Sequence, residues 1–194
     1  MNDFIFYLKE GFLHIADWKA YDHILFVAAL CAPYFLKDWK KLLILITAFT
    51  LGHSATLALS VYEKIIVPSE WIEFLIPVTI MIMALENLSR RPIAAEHSAI
   101  RYGTTLVFGL IHGMGFSNYL KSMMGKGESV INELLAFNLG LEIGQLLIVL
   151  VVLTISWIFV ALLQIARRDW LLFVCGGIFG IALIMALERF PSFL

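Results

Sequence analysis

The chain has 194 residues, 61% of them hydrophobic and only 15% charged, against roughly 25% charge in an ordinary soluble domain. A mean hydropathy of +0.89 leaves a soluble fold nowhere to put its apolar surface, and a formal net charge of -1 excludes a polybasic chain that neutralises phosphates. The composition therefore points to an all-α, polytopic transmembrane helix bundle whose surroundings are the lipid bilayer, with no role for nucleic acid.

Residues 1–19 lack a basic leader followed by a long apolar run and a small-residue cleavage site, so no removable signal peptide is expected. A hydrocarbon core of ~30 Å calls for about 20 apolar residues per helix. Six stretches approach that length: roughly Tyr21 to Leu36, Leu42 to Val61, Trp71 to Leu88, Tyr102 to Leu120, Leu134 to Leu163 and Trp170 to Leu187. Gly11 to Ala20, and the first turns of the long fifth stretch, are candidates for interfacial or re-entrant pieces. The connections at 37–41, 90–92 and 167–169 are short and charged, so residues 1–194 read as a single transmembrane domain. Cys31 and Cys175 both lie in apolar stretches, which suggests packing and neither a disulfide framework nor a thiolate zinc site. The segments after spans one, three and five, Arg101 included, carry eight Lys and Arg residues, and the opposite side six. Positive residues are retained in the cytoplasm, so both termini are expected outside.

Ionisable groups inside spans cost on the order of 2.5 to 3.5 kcal/mol each, and this chain has several. Asp22 and His23 open the first span, His53 and Ser54 lie in the second, His112 in the fourth, and Asn138, Glu142 and Gln145 in the fifth. Counted from the outer face, all fall about eight to eleven residues deep, or ~12 to 17 Å at 1.5 Å per residue. Asn138, Glu142 and Gln145 are spaced i, i+4 and i+7 and share one helix face. Imidazole nitrogen with carboxylate oxygen suits nickel, cobalt or zinc. Asp22 either ligates directly or orients an imidazole from behind. His14, before the first span, is either an entry ligand or an interfacial histidine. His97 is read as solvated. Glu86 and Asn87 either line the inner half of a path or cap a helix end.

At these residues the sequence resembles the hydrogenase/urease accessory membrane protein family (HupE/UreJ), chiefly its compact second branch. The resemblance is carried by GlyPheLeuHisIleAlaAsp and TyrAspHisIleLeuPhe within 11–26, PheThrLeuGlyHisSerAlaThrLeu at 49–57 and GluAsn at 86–87. PheGlyLeuIleHisGlyMetGlyPhe at 108–116 and PheAsnLeuGlyLeuGluIleGlyGln at 137–145 complete it. It implies a multi-pass protein of the bacterial inner membrane, related to nickel or cobalt permeases that serve metalloenzyme assembly, and it maps the family's His-then-AspHis motif onto His14, Asp22 and His23. The spacing from His14 to Asp22 is longer here than in the nickel-permease branch, and that branch's second histidine-rich motif is reduced to His112.

Three functions compete. The first is a permease for a divalent transition metal of the nickel or cobalt class, with His14, Asp22, His23, His53, His112 and Glu142 as metal-site candidates. The second is an intramembrane zinc-dependent hydrolase with its site in the outer half of the membrane, in which Asp22 or Glu142 acts as base and Ser54 as a hydrogen-bonding aid. The third is a scaffold or assembly subunit whose polar cluster only rigidifies the bundle. A membrane or metalloenzyme-assembly partner is compatible with the resemblance, and no sequence feature names one.

Overall fold

Long apolar runs punctuated by Pro, Gly and charged turns fold into helices, because a helix satisfies every backbone group within its own segment. The computed structural model describes residues 3–18, 21–62, 67–89, 98–123 and 130–191. Within these are seven α-helices: α1 (Asp3–Ala16), α2 (Asp22–Cys31), α3 (Trp39–Val61), α4 (Ser69–Leu88), α5 (Ser98–Met123), α6 (Val130–Trp157) and α7 (Arg167–Glu188). A 3-10 turn at Leu36–Asp38 leads into α3, and a π turn at Ile158–Leu162 ends α6. Gln164 then takes a left-handed conformation (φ 56°) that reverses the chain into α7.

Two close helix pairs frame the interior. The pair α3 and α5 runs parallel: a Cβ on Gly109 would collide with the Phe49 carbonyl, and one on Gly113 with the His53 carbonyl. The pair α1 and α6 is also parallel, with Gly140 against Leu8 and Phe12, and Gly144 against Ile15. Such small-residue contacts are how helices approach in a bilayer, where no hydrophobic drive brings them together. Helix α2 runs antiparallel to both α3 and α5, since His23 lies by His53 and His112 while Phe26 lies by Phe49 and Phe108.

Among the described residues, four helical segments are long and apolar enough to cross a membrane: Leu36–Ser60, Ser69–Leu88, Ile131–Leu162 and Arg167–Glu188. Four of the six expected stretches thus have a counterpart of spanning length and apolarity, and the other two fold as follows. The stretch Tyr21 to Leu36 yields only the ten residues of α2, ~15 Å and half a crossing, because Pro33 lacks the N–H to continue the helix. The stretch Tyr102 to Leu120 lies within the 26-residue α5, which is ~39 Å long but is not among the spans because Arg101, Thr105 and His112, all buried, lower its apolarity. Gly11 to Ala16 extends a helix that already began at Asp3 and buries Tyr7, Gly11 and Ile15. Toward the outside, α6 and α7 present Leu135, Leu139, Ile143, Phe173, Ile184 and Leu187, an apolar surface that suits contact with lipid.

A buried histidine cluster as the candidate functional site

Three helices repeat one order of side chains. On α2, His23 is followed by Phe26; on α3, Phe49 precedes His53; on α5, Phe108 precedes His112. Spacings of three and four residues put each pair on one helix face, a turn apart. The result is a histidine layer resting on a phenylalanine layer. In the upper layer His23 lies 5.3 Å from His112 and 6.1 Å from His53, ring centroid to ring centroid. In the lower, Phe26 stacks on Phe49 at 4.8 Å and meets Phe108 edge-on at 6.0 Å. His14, near the end of α1, joins the upper layer at 4.6 Å from His23 and 5.8 Å from His53. Its outer wall is aromatic, with Phe116 at 3.8 Å and Phe137 at 5.7 Å.

Three of these rings are buried and His14 is partly buried. His53 is 0% and His112 1% exposed, so their nitrogens have no bulk water to turn to. The Nδ1 of His112 stands 2.8 Å from the Phe108 carbonyl, which only accepts, so the neutral ring carries its proton there and leaves Nε2 with a free lone pair. That Nε2, both nitrogens of His23 and of His53, and the Nε2 of His14 are buried with no hydrogen-bond partner. Each such group costs about 1–3 kcal/mol, and their concentration between four helices marks a place built for something other than packing.

Asp22 closes the cluster. Its Oδ1 accepts the His23 backbone N–H at 2.9 Å. The same oxygen lies 3.1 Å from His23 Nδ1, within ion-pair range but without the alignment of a hydrogen bond. Its Oδ2 is 3.5 Å from Nη1 of Arg189 at the end of α7. Rings sharing a tetrahedral ion through ~2.1 Å bonds have centroids ~5 Å apart, and the separations of 4.6 to 6.1 Å bracket that value. Their directions differ from coordination: among the described residues no three His, Cys, Asp or Glu side chains stand in metal-holding geometry. The spacing is that of a shared ion, and the ring directions are not.

The other candidates stand apart. Glu142 is half-buried on α6, and its Oε1 accepts from Thr47 Oγ1 at 3.0 Å; Thr47 precedes His53 by six residues, ~9 Å along α3. Gln145 is fully buried and accepts from Thr50 at 2.9 Å. Asn138 keeps a buried Oδ1 without a partner. Ser54 spends its hydroxyl on the Thr50 carbonyl at 2.6 Å. His97 lies outside the described residues.

Beyond the phenylalanine layer, toward the α2–α3 turn, lies a second polar layer. Asn87 Nδ2 donates to the Ala29 carbonyl at 2.6 Å and approaches Cys175 Sγ at 3.6 Å. Arg101 Nη2 donates to Asn87 Oδ1 at 3.1 Å and to the Leu30 carbonyl at 3.4 Å. Both therefore cap the last turn of α2, whose carbonyls have no helical partner. Asn87 belongs to a closed hydrogen-bond set, whereas Glu86 keeps a buried Oε2 without a partner. Arg101, counted in the sequence as a connecting-segment charge, is buried in the first turn of α5. Sequence reasoning also missed Arg189 and the phenylalanines. The recurrence of Phe one turn from His on three helices was their visible signal; Arg189 had none.

Helices with a lipid-suited exterior around an interior that holds a cluster of four histidines, three of them buried, define a polytopic α-helical membrane protein. The chain belongs to the HupE/UreJ family: the family described as "HupE / UreJ protein" matches residues 1–189. Comparisons with curated proteins and with solved structures gave no match.

Proposed function

We propose that the protein is a membrane permease for a divalent transition metal of the nickel or cobalt class, recognised by His14, Asp22, His23, His53 and His112. The observation that carries this reading is the set of six buried imidazole nitrogens without hydrogen-bond partners, contributed by α1, α2, α3 and α5, one of them, His23 Nδ1, facing Asp22 at 3.1 Å. Neutral imidazole is the donor these metals take in preference to water. The family is associated with nickel and cobalt transport for hydrogenase and urease, which supports the choice of metal class. Asp22 supplies a carboxylate at the edge of the site, and Arg189, 3.5 Å away, is the cation that an incoming dication would displace as its partner. Glu142, anchored by Thr47, is a station on the route past the rings. A transporter must bind well enough to admit its ion and weakly enough to release it, and rings that rotate in and out of coordination satisfy both demands.

A second reading, an intramembrane zinc hydrolase, draws support from the phenylalanine layer that covers one side of the rings. Resident zinc would there lower the pKa of a bound water, with Asp22 or Glu142 taking its proton; Ser54 would aid only after releasing the Thr50 carbonyl. Reconstitution in liposomes with a trapped metal-sensitive dye separates the readings. The permease reading expects nickel or cobalt flux that His53→Ala abolishes. Stoichiometric bound zinc without flux would replace it with the hydrolase, and neither metal binding nor flux would leave a structural subunit.

A further inference from the structure

Arg101 is a buried cation with no carboxylate within 4.0 Å among the described residues. Its hydrogen bonds go to the neutral Asn87 and to the Leu30 carbonyl, its guanidinium sits 5.3 Å from the centre of the Tyr34 ring, and its Nε has no partner. Packing does not require this, because a buried unpaired charge is among the most costly groups a helix can carry.

Its position supplies a reason. Along α5 the order is Arg101, Phe108, His112, and along α2 it is His23, Phe26 and then Leu30, whose carbonyl Arg101 holds. Arg101 therefore lies ~16 Å below His112 by helix rise, beyond the phenylalanine layer, at the end of the bundle that carries the α2–α3 turn. A ring of apolar side chains backed by a fixed positive charge is how pores exclude cations.

We infer that Arg101 is the cation barrier of this protein: it closes the route between the histidine cluster and the α2–α3 end to every cation, and cargo passes only when α2 releases it. The inference rests on the reading of the histidine cluster as a cation site, but the barrier is testable apart from it. Held by Arg101 and Asn87 at its C-terminal end and by Arg189 through Asp22 at its start, α2 is the element that must shift. Its movement would carry Asp22 and His23 away from His53 and His112 at the same stroke, so binding and closure are coupled through one short helix.

The test uses the full chain in liposomes and two ions. Mg²⁺, which imidazoles do not select, reports the barrier; Ni²⁺ reports the permease. Arg101→Gln keeps hydrogen-bonding capacity and removes the charge, and it is expected to raise Mg²⁺ leak roughly tenfold or more over wild type. Arg101→Lys keeps the charge and is expected to stay tight, whereas a merely structural arginine would make both variants equally leaky. Maleimide labelling read by mass spectrometry is expected to find Cys31, 0% exposed in the native fold, protected in wild type and modified in Arg101→Gln. Mg²⁺ leak in Arg101→Gln without any Ni²⁺ flux in wild type would keep the barrier and discard the permease. Ni²⁺ flux in wild type with Arg101→Gln as tight as wild type, and Cys31 still protected, would overturn the barrier. Should Arg101→Gln not accumulate as folded protein, Asn87→Ala removes the acceptor that anchors the guanidinium; an intermediate Mg²⁺ leak is expected, and a wild-type seal would likewise overturn the inference.

Discussion

At the scale of single residues, the histidines are placed for binding at the expense of stability. His53 is wholly buried between Phe49 and two other imidazoles, with neither nitrogen satisfied. Replacing an unpaired buried polar ring by an apolar side chain of similar size removes a penalty of about 1–3 kcal/mol. His53→Leu is accordingly expected to melt at the wild-type temperature or above in detergent, while nickel affinity in equilibrium dialysis drops by at least the roughly 10-fold to 100-fold that losing a residue behind a metal ligand costs. A lower melting temperature with metal binding intact would return His53 to the packing. Glu142 behaves differently because its carboxylate is held by Thr47. Gln keeps an acceptor oxygen for that hydroxyl, so Glu142→Gln is expected to insert and melt normally and to lose less nickel affinity than His53→Leu. An equal loss would move Glu142 into the coordinating shell.

At the scale of elements, the glycines of α5 set the register of the site. Gly109 and Gly113 lie one turn apart on either side of His112 and press against the backbone of α3 at Phe49 and His53. That contact brings His53 and His112 into one layer. Gly109→Ala must push α3 and α5 apart, and overpacking of this kind costs about 1–3 kcal/mol or more. The expected result is a clear fall in melting temperature together with weaker nickel binding. Gly103 on the same helix and Gly176 on α7 have open space where a Cβ would go. Alanine at either is expected to leave melting unchanged or to raise it, given the higher helix propensity of Ala. A Gly103→Ala loss as large as that of Gly109→Ala would mean that helix entropy, and not the α3–α5 contact, governs the effect. The shortness of α2 was also written in the chain, since Pro33 stops it. The unbroken run of apolar residues around that proline concealed it.

At the scale of the whole molecule, sidedness decides which end of the site is the entrance. With the buried Arg101 set aside, the Lys and Arg count falls to seven against six, and on that remaining bias we expect the α2–α3 turn in the cytoplasm and the histidine layer nearer the outside. Asp38→Cys in that turn is expected to resist an impermeant maleimide in intact cells, and Asp3→Cys in α1 to react. The native Cys31 and Cys175 are buried and should stay silent in the same assay. The reverse labelling pattern would invert the protein, place Arg101 at the outer end, and make the histidines accessible from within.

The sequence by itself determined the membrane class, the family and the identity of the polar residues, because hydropathy and the cost of intramembrane charge act locally and leave a mark wherever they apply. It also indicated that His23, His53 and His112 share a depth, since helical rise converts residue counts into ångströms. It could not decide which polar groups point at one another, because helical phase and crossing angle depend on partners far away in the chain. Tertiary structure alone drew His14 into the layer through the α1–α6 glycine contact, set Glu142 on Thr47, and folded the seeming connecting-segment charge Arg101 into the interior. The reason is common to all three: each side chain is placed by contacts across the bundle, and the segment that carries it does not say which partner it will meet.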